Sequence, residues 1–320
     1  MKLNRMYSFL KADIDEIEKE LEAAIESDSP VLQEASLHLL QAGGKRIRPI
    51  FVLLSAKFGQ YDIHQVKNVA VALELIHTAS LVHDDVIDDA EMRRGRQTIK
   101  SQWDNRIAMY TGDYIFARSL EYITRIDAPE AHQILSNTMV ELCKGEIAQI
   151  QDKYRFNQNL RDYLLRIKRK TALLIAASCQ VGAISSGAPT EVHKRLYRFG
   201  YNVGMSFQIT DDILDLTSSE KVLGKPAGSD LLQGNITLPV LYAMEHKHLY
   251  NQIIKVNEQT TKEEMQQIIS QMLETDVIER SHAISRMYLD KALKELSMLP
   301  NNRVKKTLKN IANFIGNRKY

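Results

Sequence analysis

Six aspartates fall into two groups of the same spacing, Asp84, Asp85 and Asp88 and then Asp211, Asp212 and Asp215, each reading DDxxD. On a helix, residues four apart share a face, so Asp84 with Asp88, and Asp211 with Asp215, direct two carboxylates the same way. Left unneutralised such pairs repel, and acidic groups near the carboxyl end of a helix also oppose its dipole. A cation relieves both penalties. Hard oxygen ligands with no histidine or cysteine among them suit Mg2+, which keeps several waters and is held by one or two carboxylates together with substrate phosphates. One DDxxD alone reads as readily as a solvated helix face. Two of them, each preceded by a strongly apolar stretch, LELIHTASLVH before the first and VGMSFQIT before the second, read as a metal site.

Cations lie close to both groups in sequence. Gly43, Gly44, Lys45, Arg46, Ile47, Arg48 and Pro49 form a glycine-loosened turn, in which backbone approaches a ligand closely while Lys offers a point charge and Arg a planar fork for phosphate oxygens. It is not a P-loop, because GxxxxGK followed by Ser or Thr is absent. Arg93, Arg94 and Gly95 follow the first acidic group directly, Lys170 precedes Thr171, and Lys225 sits within GKPAGSD. His77, two turns before Asp84, reads by itself as an ordinary helix histidine. Taken together, two carboxylate groups and several separate cationic positions describe a site for a metal-bound diphosphate, with cations left over for a second.

Such side chains need rigid carriers, and the sequence offers helices. Apolar residues recur at three and four residue spacing through Leu32 to Leu40, Val66 to Val86, Ile134 to Ile150, Tyr163 to Ile184 and Val192 to Leu216, and no alternating run is long enough to argue for a strand. Pro30, Pro49, Pro129, Pro189, Pro239 and Pro300 punctuate these stretches, as expected for long helices joined by short loops. With 320 residues, 44% hydrophobic, and no Ser, Gly or Pro-rich linker, the expected fold is all-α, a single domain over residues 1–320. Lys and Arg exceed Asp and Glu by only +2, which argues against nucleic-acid binding through the overall field. The charged first residues lack the apolar core of a secretory signal, and the greasiest stretch, Thr171 to Ile184, is broken by Ser178, Gln180 and Gly182 and falls short of the about 20 apolar residues of a membrane span. Cys143 and Cys179 are expected in the core rather than in a disulfide or zinc site. Cytoplasmic residence without a transmembrane segment follows as the expectation.

The segments DDVIDDAEMRRG, GGKRIRP, GMSFQITDDILD and GKPAGSDLLQGNITLP, in this order apart from GGKRIRP at the front, resemble those of trans-prenyl diphosphate synthases, with the resemblance covering about Leu39 to Leu241. It implies a bundle of long antiparallel helices around a central cavity, the isoprenoid synthase fold, and Mg2+-dependent addition of isopentenyl diphosphate to an allylic diphosphate such as farnesyl diphosphate. By similarity, Asp84, Asp88 and Asp211 hold three Mg2+ ions on the allylic diphosphate, with Asp85, Asp212 and Asp215 in support. Arg93, Lys170 and Lys225 grip that diphosphate; Lys45, Arg48, His77 and Arg94 match positions that bind isopentenyl diphosphate; Thr171 and Gln208 match positions whose oxygens face the developing allylic cation. Asn235 departs from the family, where many members carry Lys. The resemblance extends in particular to catalytic subunits of bacterial enzymes of two unlike subunits that serve menaquinone side-chain synthesis. This implies a small non-catalytic partner in a heterodimer, a homodimer being the other arrangement, and a heptaprenyl, hexaprenyl or shorter product. Small residues at Ala79 and Ser80, one turn before Asp84, leave room for a long tail, with Ile76 and Ala72 next along that face about 5.4 Å per turn. A terpene cyclase would not need the second diphosphate set, and a non-catalytic subunit of the same fold would be expected to have lost its acids.

Overall fold

The structure, a computed structural model, describes residues 6–218, 226–316 and 318. After a 3-10 turn at Ser8–Leu10 the chain forms α1 (Lys11–Ala24), α2 (Pro30–Gln41), α3 (Ile47–Ala56) and α4 (Ile63–Ile87), a short hairpin of β1 (Met92–Arg93) and β2 (Arg96–Gln97), then α5 (Ile99–Gln102), α6 (Asn105–Thr124) and α7 (Pro129–Asp152). It continues through α8 (Leu160–Ile167), a π-helical turn at Lys168–Ala172, α9 (Leu173–Ser185) and α10 (Thr190–Thr217). Then follow α11 (Ser229–Leu232), α12 (Leu238–Ala243), α13 (Lys247–Ile253), α14 (Lys262–Leu273), α15 (Val277–Ser297) and α16 (Arg303–Gly316). The all-α class follows from the 3.6-residue periodicity, and prolines start α2 and α7, where a missing N–H removes no bond. The hairpin is a departure from expectation. Arg93 pairs with Arg96, leaving Arg94 and Gly95 as a two-residue loop with φ 53 and 77, the left-handed pair that a tight hairpin requires. In this motif no alternation of side chains announces it.

Two compact units are distinguished within the chain, each assembled from three separated stretches. The first comprises residues 1–139, 177–197 and 299–308. Its middle is α4, whose Val69, Ala70, Val71, Ala72, Leu73, Leu75 and Ile76 are at most 1% exposed, so apolar residues cover almost every side rather than one stripe. It packs against α1, α3 and α6. Asp62 starts α4 by accepting the His64 backbone N–H at 3.0 Å, and Asp104 starts α6 by accepting that of Ile107 at 2.8 Å.

The second unit comprises residues 140–176, 198–298 and 309–320. One cluster joins Tyr163 and Ile167 of α8, Met205, Ile209 and Ile213 of α10, and Tyr288 of α15; the i, i+4 ladder on α10 supplies its spine. Another packs Leu216, Val240, Leu249, Met265, Met272 and Val277 from successive helices. A capping box at Asn159, whose side chain accepts from Asp162 N–H while Asp162 answers to Asn159 N–H, fixes the start of α8. One core expectation fails: Cys179 is buried, but Cys143 is exposed, because it lies in line with Val140, Ile147 and Ile150 on a face of α7 left open to solvent. Among the described residues no helix is long and apolar enough to cross a membrane.

Candidate active site

In the first unit, α4 carries the first acidic group to its very end. Asp84 and Asp85 are buried in the last turn, and Asp88 caps the helix, its N–H donating to the Asp84 carbonyl at 2.8 Å. The chain then reverses through Asp89, at φ 50, and the hairpin returns Arg93 to donate from Nε to Asp85 Oδ1 at 2.6 Å. Burial pushes the Asp85 carboxyl above its usual range, and Arg93 pulls it back. Arg94 reaches the Gly43 carbonyl, tying the hairpin to the GGKRIRP turn. A Cβ at Gly44 would lie 2.9 Å from the end of the Arg94 side chain, which would have to shift to make room.

That turn sorts its cations. Arg46, left-handed at φ 44, is consumed inside the unit by Glu18 at 2.5 Å, Glu74 at 3.1 Å and the Leu40 carbonyl at 3.2 Å. Arg48 is different. Its Nε is buried with no hydrogen-bond partner among the described residues, and burial, countered by Glu74 and reinforced by Arg94, pushes its guanidinium down to about 10. His77 faces the same group: burial first, then Arg48, Arg94, Arg93 and Arg46, hold the imidazole neutral, well below its ordinary range. Lys45 is exposed beside them. Thus Arg48, His77, Arg93 and Arg94, scattered in sequence, converge in one electropositive neighbourhood. Ala79 is buried, while the half-buried Ser80 turns its hydroxyl back onto the His77 carbonyl at 2.8 Å.

In the second unit the second acidic group lies on the closing turns of α10. Asp211 faces the Arg318 guanidinium at 2.9 Å, which stacks over the Phe207 ring at 4.4 Å. Asp212 is fully enclosed: Tyr163 donates to Oδ2 at 2.7 Å and Gln208 to Oδ1 at 2.8 Å. Burial pushes its carboxyl up to about 8. Asp215 accepts the Ser229 hydroxyl at 2.9 Å and the Asp230 N–H at 3.3 Å, so it anchors α11. Thr171 and Gln208 meet directly, the hydroxyl donating to Gln208 Oε1 at 2.7 Å. Lys170 is held toward α7 by Gln149 at 2.9 Å and Glu146 at 3.2 Å. Both Lys170 and Thr171 belong to the π-helical turn, a distortion that often marks functional positions. Gly204 lets α10 approach that turn, since a Cβ would come within 2.6 Å of Ala172 Cα. The Asn235 N–H donates to the Asp230 carbonyl at 2.8 Å. Lys225 lies outside the described residues.

Among the described residues no three carboxylate, histidine or cysteine side chains converge closely enough to hold an ion by themselves. The donor set nevertheless suits Mg2+: each acidic group offers oxygen ligands alone, in numbers that leave positions for water and phosphate. Sequence reasoning missed Tyr163, Glu146, Gln149, Ser229 and Arg318. All act by contacts remote in sequence, and none stands in a motif that would have singled it out.

The family model described as Polyprenyl synthetase matches residues 29–272. Heptaprenyl diphosphate synthase component 2 of Bacillus subtilis is 64% identical over 320 residues, covering 100% of this chain and 92% of that protein. The crystal structure of heptaprenyl diphosphate synthase from Staphylococcus aureus superposes with a TM-score of 0.92 at 44% identity, covering 99% of both chains. A polyprenyl synthase from Caulobacter crescentus, complexed with calcium and isoprenyl diphosphate, gives a TM-score of 0.93 at 29% identity, covering 100% of this chain and 98% of that one.

Proposed function

Because the chain belongs to the polyprenyl synthetase family, and is a prenyltransferase that lengthens trans-prenyl chains, we propose that it condenses isopentenyl diphosphate repeatedly onto an allylic diphosphate such as farnesyl diphosphate. The product is heptaprenyl diphosphate, destined for the menaquinone side chain, and the whole of residues 1–320 acts as one catalytic domain. A small non-catalytic second subunit, suggested by the component 2 name of the relative, completes the enzyme in the cytoplasm. The observation that carries the reading is the buried Arg48 Nε, a donor with no hydrogen-bond partner among the described residues, in the same cationic neighbourhood as His77 and Arg94. One diphosphate would leave that cluster idle; two substrates require it.

Each residue has a role that its chemistry supports. Arg93 and Lys170, with Lys225, hold oxygens of the allylic diphosphate, while Lys45, Arg48 and Arg94 hold isopentenyl diphosphate. Neutral His77 donates a hydrogen bond there without adding a charge to an already cationic cluster. Asp84, Asp88 and Asp211 would hold Mg2+, three ions in all, which when bound neutralises charge growing on the leaving diphosphate. The allylic carbon–oxygen bond breaks heterolytically and its electron pair leaves with the diphosphate. Thr171 and Gln208 turn oxygen lone pairs toward the carbon that becomes cationic. The isopentenyl double bond then attacks that carbon, and loss of a proton from the neighbouring carbon to the released diphosphate restores a double bond. No side-chain base is needed. The test is incubation of the purified chain with farnesyl diphosphate, isopentenyl diphosphate and Mg2+, alone and with a candidate partner, followed by product-length chromatography. Absence of elongated product in every combination rejects the reading.

A further inference from the structure

The second unit contains an unbroken hydrogen-bonded chain of four side chains, Tyr163 to Asp212 at 2.7 Å, Asp212 to Gln208 at 2.8 Å and Gln208 to Thr171 at 2.7 Å. Its direction is fixed by donor and acceptor chemistry. The Gln208 NH2 donates to Asp212 Oδ1, which leaves the Gln208 carbonyl oxygen to face the Thr171 hydroxyl. The carbonyl in turn takes the Thr171 proton, and the Thr171 lone pairs are left to point elsewhere. Were the amide reversed, its oxygen would face the carboxylate and its NH2 would occupy a Thr171 lone pair. The inverted arrangement would present hydrogen rather than oxygen to a carbocation.

Tyr163 is the far anchor of this chain. It is completely buried, packed among Ile167, Met205 and Ile213, and its hydroxyl donates to the Asp212 oxygen that Gln208 does not use. A carboxylate enclosed this deeply needs donors on both oxygens to keep its orientation. We propose that Tyr163 is a positioning residue for the reaction: through Asp212 it locks the Gln208 amide so that Thr171 and Gln208 offer oxygen, not hydrogen, to the allylic cation. Thr171 makes this contact with Gln208 from within the π-helical turn, a distortion frequent at functional positions. The inference rests on the prenyl-elongation reading and names a further residue for it.

Tyr163→Phe removes one hydroxyl and keeps the ring in its packing. In the chain supplied with farnesyl diphosphate, isopentenyl diphosphate, Mg2+ and any required partner, kcat is expected to fall roughly ten to a hundredfold while KM for both diphosphates stays within about twofold. Calorimetric binding of inorganic diphosphate with Mg2+ is expected to be unchanged. In a Gln208→Ala background the same substitution should have almost no further effect on kcat, because the relay is already cut. Unchanged kcat in Tyr163→Phe, a comparable kcat loss in both backgrounds, or loss of diphosphate binding would each overturn the proposal. If Tyr163→Phe melts early, Asp212→Asn, isosteric and free of the buried charge, should show the same loss of kcat without loss of KM; unchanged kcat there overturns it as well. Wild-type product formation separates the two levels. Failure of wild type to elongate rejects the prenyl reading itself, whereas normal wild-type turnover beside an unaffected Tyr163→Phe rejects only the relay.

Discussion

At the scale of single residues, this chain separates groups that neutralise one another from groups kept in reserve. Arg46 spends its charge on Glu18 and Glu74, whereas Arg48, two positions later, keeps a buried donor with no partner among the described residues. Arg48→Ala is therefore expected to raise KM for isopentenyl diphosphate preferentially, by the about 1.5 to 3 kcal/mol of a charged hydrogen bond. Steady-state kinetics with each substrate varied in turn checks it, and equal effects on both contradict the division. Asp84→Ala or Asp211→Ala should lower turnover by several orders of magnitude with little loss of fold, because removing a ligand dismantles the metal site while relieving like-charge repulsion. Near-normal turnover in either variant would remove the metal assignment. His77 gives a prediction in pH. Its folded imidazole resists protonation far below the unfolded value near 6.5, so below that pH the unfolded chain binds a proton that the folded chain refuses. Stability is thus intact above pH 6.5 and falls as pH drops beneath it, by up to about 1.4 kcal/mol per unit from this group. Urea unfolding at neutral and mildly acidic pH should show His77→Gln losing less than wild type on acidification.

At the scale of elements, the long helices were legible and the short devices between them were not. Apolar spacing and the prolines at the starts of α2 and α7 mark the helices, and DDxxD at the end of an apolar run correctly predicts carboxylates in the last turn of α4. The hairpin at Arg93–Arg96 and the π-helical turn at Lys168–Ala172 leave no periodicity, because one is set by two left-handed residues and the other by a single extra residue in a helical turn. The candidate residues were legible because charge and spacing reveal them; their supports, Tyr163 and Glu146 above all, look like ordinary helix residues. We assign the control of product length to α4. Ala79, buried one turn before Asp84, lies on the side we assign to the growing tail, together with Ser80. Ala79→Tyr, or Ser80→Phe, places a ring in that path at a packing penalty of about 1 to 3 kcal/mol, so the variant should fold yet stop after about one or two additions. Chromatography showing an unchanged long product would mean that these side chains do not face the tail.

At the scale of the whole molecule, composition and periodicity sufficed for the all-α class, while the division into two units was invisible because neither is a continuous stretch of sequence. The second subunit that we propose belongs to this scale too. Full-length product is expected only when the chain is mixed with its partner, and sedimentation together with product analysis of the separate and mixed proteins checks it. The interrupted make-up of the first unit has a consequence for synthesis. Val304 and Leu308, buried in the first half of α16, belong to it although they follow nearly all of the second unit in the chain. A ribosome therefore cannot release a finished first unit early: the apolar seats for Val304 and Leu308 stay unfilled until those residues emerge, late in translation. Nascent chains stalled before that point should remain protease-sensitive throughout their length, and chaperone occupancy should persist until Leu308 has emerged.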